Sequence, residues 1–145
     1  LAIQESLTGL AARLAAEHIH EDNHRSRFKQ AYAALMSAYK ARDGSGVLDA
    51  RVRFYVELVA LGGNAELTRF VPIPQTNLLR AQFERHLPAS ARAKRRQDYP
   101  TIARLILAGK AAAAETAMRK HIRHTRQAIN ALPDAVFAKD VSFRV

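Results

Sequence analysis

Apolar residues recur along the chain at intervals of three and four over nearly its whole length, the spacing of one face of an α-helix. Leu7, Leu10, Leu14 and Ile19 form the first such stripe, and Ala11, Ala15 and Ala16 beside it permit close helix approach. A second helix is predicted over Asn23–Arg42, with Phe28, Tyr32, Leu35, Met36 and Tyr39 on one side. Asp43-Gly44-Ser45-Gly46 ends it with turn chemistry. A third, Val47–Leu61, presents Val52, Phe54, Tyr55, Leu58 and Val59, and stops at Gly62-Gly63. Asn64 is then placed to cap the next helix. Pro72 and Pro74 each lack a backbone donor, so the fourth helix should break at Val71–Pro74 and resume over Gln75–Leu87. Pro88 to Gln97 reads as the longest loop, and a fifth helix starting near Asp98 or Tyr99 puts Pro100 in its first turn. Gly109 has the conformational freedom to end that helix, and Lys110–Leu132 forms a sixth, stopped by Pro133. The tail, 133–145, carries no strong signal, although Phe137, Val141 and Phe143 can pack against the bundle. No strand alternation or repeat interrupts this pattern. The expectation is an all-α, antiparallel bundle of six or seven helices formed by residues 1–132.

Composition narrows the picture. At 145 residues the chain suffices for one domain burying about 70% of its unfolded surface. It contains no cysteine, which excludes disulfides and thiolate metal sites and fits a cytoplasmic setting. No apolar run approaches the ~20 residues of a membrane span, so no membrane partner is expected. Twenty-three Lys and Arg against 13 Asp and Glu give a net charge of +10, which favours acidic partners. The basic residues are spread out, with one dense group at Arg92, Lys94, Arg95 and Arg96 and a second at Arg119, Lys120, Arg123 and Arg126. The few aromatics do not alternate with them as a base-stacking platform requires.

Catalytic motifs are missing: there is no phosphate loop, no HExxH helix and no nucleophile elbow. His18, His20 and His24 sit at a polar junction beside Glu21 and Asp22, where a solvated turn explains them better than a metal cluster. His121 differs, because Ala117, Met118 and Ile122 around it are apolar. By itself, a histidine on such a face is more often a hydrogen-bonded core residue than a ligand.

The segments FYVELVALGGN and IARLILAGKAAAAETAMRKHI, with LTGLAARLAA near the start, resemble the FCD domain. This is the effector-binding, dimerising C-terminal domain of FadR-subfamily GntR transcription regulators. The resemblance spans Leu1–Ala131 and leaves no segment for the winged-helix DNA-binding domain that such regulators carry N-terminally, so the chain reads as part of a longer protein. Many members hold a divalent metal with an Asp-x-x-x-His pair and two later histidines. The resemblance places those positions at Arg51, Tyr55, Tyr99 and His121, where only His121 keeps a ligand. Gln4 and Thr8 stand where the family tends to have an arginine and a glutamate. Asp49 lies two residues before Arg51, about 200° round the helix, and does not replace the aspartate.

A guanidinium, two phenols and one imidazole do not make the shell that Zn²⁺ or similar metals prefer. The expectation is therefore no metal and no other cofactor. Arg51 would supply the metal's positive charge and bind a small anionic metabolite, an organic acid, with Tyr55, Tyr99 and His121 around it. The bland alternative is a filled polar core, or an Arg51 that points to solvent as Arg53 should. Gln4, Asn77 and Arg80 are weaker pocket candidates, and Arg80 reads best as a surface arginine. A homodimer is expected from the resemblance and from the symmetry of operator half-sites, with DNA bound through the missing N-terminal domain. Two other functions compete: a basic helical module that binds nucleic acid directly, and an enzyme built in a helical bundle. The lack of repeated Glu-x-x-His motifs counts against the enzyme.

Overall fold

A computed structural model describes residues 2–71 and 73–139 and contains, among them, eight helices and no strand. They are α1 (Ala2–His18), α2 (His24–Ala41), α3 (Gly44–Leu61), α4 (Ala65–Phe70), α5 (Ile73–Glu84), α6 (Ala89–Leu107), α7 (Ala111–Asn130) and α8 (Asp134–Lys139). The all-α helical bundle is as the periodicity requires, and the count exceeds six or seven because a short α4 and a short α8 stand as separate helices.

The most extensive packing joins α1 to α7, the two segments with the smallest side chains. Ala11, Ala12, Ala15 and Ala16 of α1 are buried, as are Ala114, Met118, His121 and Ile122 of α7. Gly9 is needed at this contact, since a Cβ there would fall 2.5 Å from the Arg119 side chain. Consecutive helices pair α2 with α3 and α6 with α7, and α1 also lies on α3 and α6. The centre is aromatic: the ring of Phe54 stands 5.7 Å from Phe28 and 5.5 Å, edge-on, from Tyr99. A smaller cluster at one end joins Phe83, Leu87, Ile129 and Leu132, with Phe137 of α8 at 5.4 Å from Phe83. Phe137 thus packs as the tail pattern allowed, whereas Val141 and Phe143 lie outside the described residues.

The punctuation follows local chemistry. Asn64 caps α4 through its side-chain oxygen, which accepts from the Leu67 N–H at 2.9 Å. Gly109 adopts φ +70°, the left-handed corner between α6 and α7. The helix after Gly62-Gly63 breaks at Val71, and Pro74 falls in the first turn of α5; Pro72 lies outside the described residues.

Two boundaries differ from expectation. Helix α3 starts at Gly44 rather than Val47, so the Gly-Ser-Gly turn residues are its first turn. More consequentially, the loop expected over Pro88–Gln97 is helix, because α6 begins at Ala89 directly after Pro88. Pro100 therefore sits in the helix interior and not in a first turn. Its missing N–H leaves the Arg96 carbonyl without a helical donor, a cost reduced by its place on the exposed face, where water reaches that carbonyl.

Candidate functional site

Four helices turn polar side chains into the apolar interior. Pairs three and four residues apart share a helix face, and this spacing aligns Arg51 with Tyr55 on α3, Asn77 with Arg80 and Glu84 on α5, Arg95 with Asp98 and Tyr99 on α6, and His121 with Thr125 on α7. Among them Arg51, Asn77, Arg80, Arg95, His121 and Thr125 are buried polar residues, and Tyr55 and Tyr99 are buried with the core.

Arg80 is the centre of this group. It is 3% exposed, which overturns its reading as a surface arginine. On α5, Arg80 faces inward toward α3 and α7. Its Nη2 donates to Thr125 Oγ1 at 3.1 Å, and its Nη1 reaches the Tyr55 hydroxyl at 3.5 Å. Its Nε has no partner, and no carboxylate contacts it among the described residues. A guanidinium stays protonated, so a full charge is held here by two hydroxyls and the face of the Tyr55 ring, 5.9 Å from its centroid.

Arg51 is likewise buried, at 2% exposure, and does not point to solvent. Its charge is already engaged, since Nη1 lies 3.3 Å from Glu84 Oε2 and Arg95 Nη1 lies 3.1 Å from the same oxygen. Burial raises the Glu84 pKa, but Arg95 and Arg51 outweigh it and hold the carboxyl below its ordinary value. Two of the three buried arginines, Arg51 and Arg95, thus share one carboxylate, and Arg80 has none among the described residues.

His121 is enclosed, and its Nδ1 lies 3.0 Å from Asp98 Oδ2. Burial lowers its pKa to about 4 although Asp98 opposes that shift. The ring is therefore neutral at pH 7 and donates its Nδ1–H to Asp98, leaving Nε2 as an acceptor. That nitrogen has no partner, nor does the hydroxyl of Tyr99, whose ring centroid is 4.8 Å from the imidazole. The phenols diverge. Burial would raise Tyr55, but the neighbouring Arg80 charge and hydrogen bond bring it below its usual value. Burial drives Tyr99 well above its own, with the Tyr55 and Tyr39 phenols adding to the rise.

The structure thus brings Tyr55, Tyr99, His121 and Arg80 together and leaves Arg51 on the Glu84 side. A void of about 10 Å³ adjoins Arg80, bounded by Gln4, Thr8, Asn77 and Ile122 among others. The Asn77 Oδ1 is also unpartnered. Asp98, Thr125, Glu84 and Arg95 belong to the site and were not singled out for it by sequence; the four-residue spacing of Thr125 from His121, Glu84 from Arg80 and Arg95 from Tyr99 is the only signal, and Asp98 has none from Tyr99. His18, His20 and His24 lie elsewhere: His18 pairs with Glu21 at 2.6 Å, and His24 Nδ1 meets the His18 carbonyl at 2.8 Å.

A divalent metal does not fit the residues at the family's ligand positions. The one free nitrogen, His121 Nε2, is accompanied by phenols and a cationic guanidinium, and no group of three His, Asp or Glu able to hold an ion occurs among the described residues.

No curated protein matches the chain closely enough to serve as a relative. The family model described as FCD domain matches residues 1–124, which cover α3, α5 and α6 whole and α7 as far as His124, one residue short of Thr125. The chain belongs to the FCD domain family, whose members are the effector-binding domains of GntR-family transcription regulators.

Proposed function

We propose that this domain senses a small organic acid without a metal, and that Arg80, rather than Arg51, is the cation that receives the acid's carboxylate. The carrying observation is the buried Arg80 guanidinium with no carboxylate partner among the described residues. An uncompensated charge in a protein interior costs several kcal/mol, and an incoming carboxylate removes that cost with paired N–H donors. The neighbouring free groups refine the ligand. His121 Nε2 needs a donor, and the Tyr99 hydroxyl can donate or accept. An acid with a hydroxyl beside its carboxylate satisfies all three groups. Tyr55 and Thr125 hold Arg80 in place, and Arg51 tunes the site through Glu84.

The void beside Arg80 holds about one water, so a metabolite enters only if α5 moves outward. That requirement supplies a switch. Helix α5 rests mainly on α3, and an acid that binds the opened form better shifts the population toward it. In a FadR-type regulator the change would be relayed through a cytoplasmic homodimer to paired N-terminal DNA-binding domains. Exposed Phe70, Leu78 and Leu79 on α4 and α5, with Ile3 at the start of α1, support such a pairing surface.

The test is a thermal-shift panel of mono- and dicarboxylic acids, with and without a hydroxyl, on wild type, Arg80→Met and Arg51→Met. Hydroxy acids should raise the wild-type Tm. Arg80→Met should abolish the response while leaving the unliganded protein as stable as wild type or more so, because it removes a buried unpaired charge. Equal responses in wild type and Arg80→Met would sink the assignment.

A further inference from the structure

A second region collects positive charge where the buried cluster does not use it. A cleft of about 660 Å³ opens between the α2–α3 corner and the α5–α6 junction. Its walls carry Arg42, Arg51, Arg85, Arg92 and Arg96 against two acidic residues, Asp43 and Glu84. Glu84 is held by Arg51 and Arg95, and Asp43 accepts from the Ser45 hydroxyl at 3.1 Å. None of Arg42, Arg85, Arg92 and Arg96 has a carboxylate partner among the described residues. Arg96 instead lies over the Tyr39 ring, 5.6 Å from its centroid.

Two long helices also begin at this cleft. Gly44 and Ala89, the first residues of α3 and α6, line it; the Asp43 carboxylate already meets the start of α3 through the Gly46 and Ser45 backbone N–H groups, so the open positive end is that of α6. The first turn of α6 has no side-chain cap, because Pro88 carries no acceptor. At the floor, buried Arg51 lines the cleft and its Nε is unpartnered. Val47, Leu48, Ala81 and Ala89 provide an apolar wall.

We infer that this cleft is a binding site for a small organic molecule bearing at least two phosphate groups. Every basic group lining it is an arginine, whose planar fork suits phosphate oxygens bidentately. Its volume matches a ligand of nucleotide size, within the range of small-molecule sites. One phosphate lies among Arg42, Arg92 and the start of α6, a second reaches toward Arg51, and the organic part lies on the apolar wall. The cleft shares Arg51 and Glu84 with the buried cluster but is lined without Arg80, so failure of acid binding at Arg80 and failure of phosphate binding here are separately readable.

Calorimetric titration of the chain with pyrophosphate and with adenosine diphosphate, each at low and physiological salt, tests this. Arg42→Ala/Arg92→Ala removes one exposed arginine from each wall, and Arg53→Ala/Arg104→Ala removes the same charge outside the cleft. Both probes should bind saturably to wild type, more tightly at low salt, and the cleft variant should weaken binding about tenfold or more. The control variant and Arg80→Met should bind as wild type does. Absence of saturable binding, or equal loss in the cleft and control variants, would overturn the proposal. A single-stranded oligonucleotide that binds more tightly than either probe through the same arginines would also overturn it, by making the cleft a nucleic-acid surface.

Discussion

The chemistry of the interior is decided by which charges find partners. Arg51 and Arg95 share Glu84, Asp98 holds His121, and Arg80 has only two hydroxyls and the Tyr55 ring face. His121 makes this arrangement measurable through pH. Its folded pKa of about 4 lies below the ordinary histidine value of 6.5, so the unfolded chain binds the proton more readily. Stability from the neutral ring is therefore complete above pH 6.5 and is lost as pH falls toward 4, by about 3 kcal/mol. The lowered carboxyls of Glu84 and Asp98 add acid sensitivity only at lower pH, below their ordinary range. Denaturant titrations between pH 7 and 4 should show a decline that His121→Gln reduces; an unchanged slope in the variant would show that another group carries it. The positions of Tyr55, Tyr99 and His121 were legible from the family pattern and the helical spacing. Arg80 was not, because periodicity cannot fix the rotation of a helix that restarts after prolines. Nor was Glu84 legible, since its two arginines come from α3 and α6 and no local spacing announces such contacts.

Elements were readable where local chemistry punctuates them. The Asn64 cap, the break after Phe70 and the Gly109 corner each depend on one side chain or one backbone freedom. A Cβ at Gly109 meets nothing closer than 3.5 Å, so the cost of Gly109→Ala is conformational alone. It should destabilise the chain by about 1–2 kcal/mol, and Gly109→Asn by less. Chemical denaturation of both variants checks the order, and equal costs would point to packing instead. The start of α6 was hidden for the opposite reason. From Ala89 to Gln97 the only apolar positions are alanines, set among four basic residues with no large apolar side chain, so no stripe marks the buried face. Its one inward anchor in that stretch, Arg95, is buried by an ion pair rather than by hydrophobicity.

At the level of the whole molecule, the net charge of +10 is distributed unevenly in function. On α7, Arg123 and Arg126 are held by Glu5, and Arg119 by Glu115, so much of that basic face is internally compensated. Four arginines without a carboxylate partner among the described residues, Arg42, Arg85, Arg92 and Arg96, gather instead in the cleft between the α2–α3 corner and the α5–α6 junction. Direct nucleic-acid binding through the α7 face thus loses its main support. Exposed Phe70, Leu78 and Leu79 give the assembly prediction its substance. Sedimentation equilibrium should find a homodimer, and Leu78→Glu/Leu79→Glu should dissociate it without loss of helicity by circular dichroism. A wild-type chain that stays monomeric across the micromolar range would contradict a pairing surface there. Metal has no part in either prediction, so prolonged dialysis against a chelator should leave the Tm unchanged, and a fall in Tm on chelation would contradict the reading of the donor set.

The central claim, that an organic acid completes the charge of Arg80, is tested most directly by a crystal structure with the most stabilising hydroxy acid bound. The expected complex has a carboxylate within hydrogen-bond distance of the Arg80 guanidinium, a ligand hydroxyl directed at His121 Nε2, and α5 displaced outward from α7. An acid seated away from Arg80, with the guanidinium still held only by Tyr55 and Thr125, would contradict it.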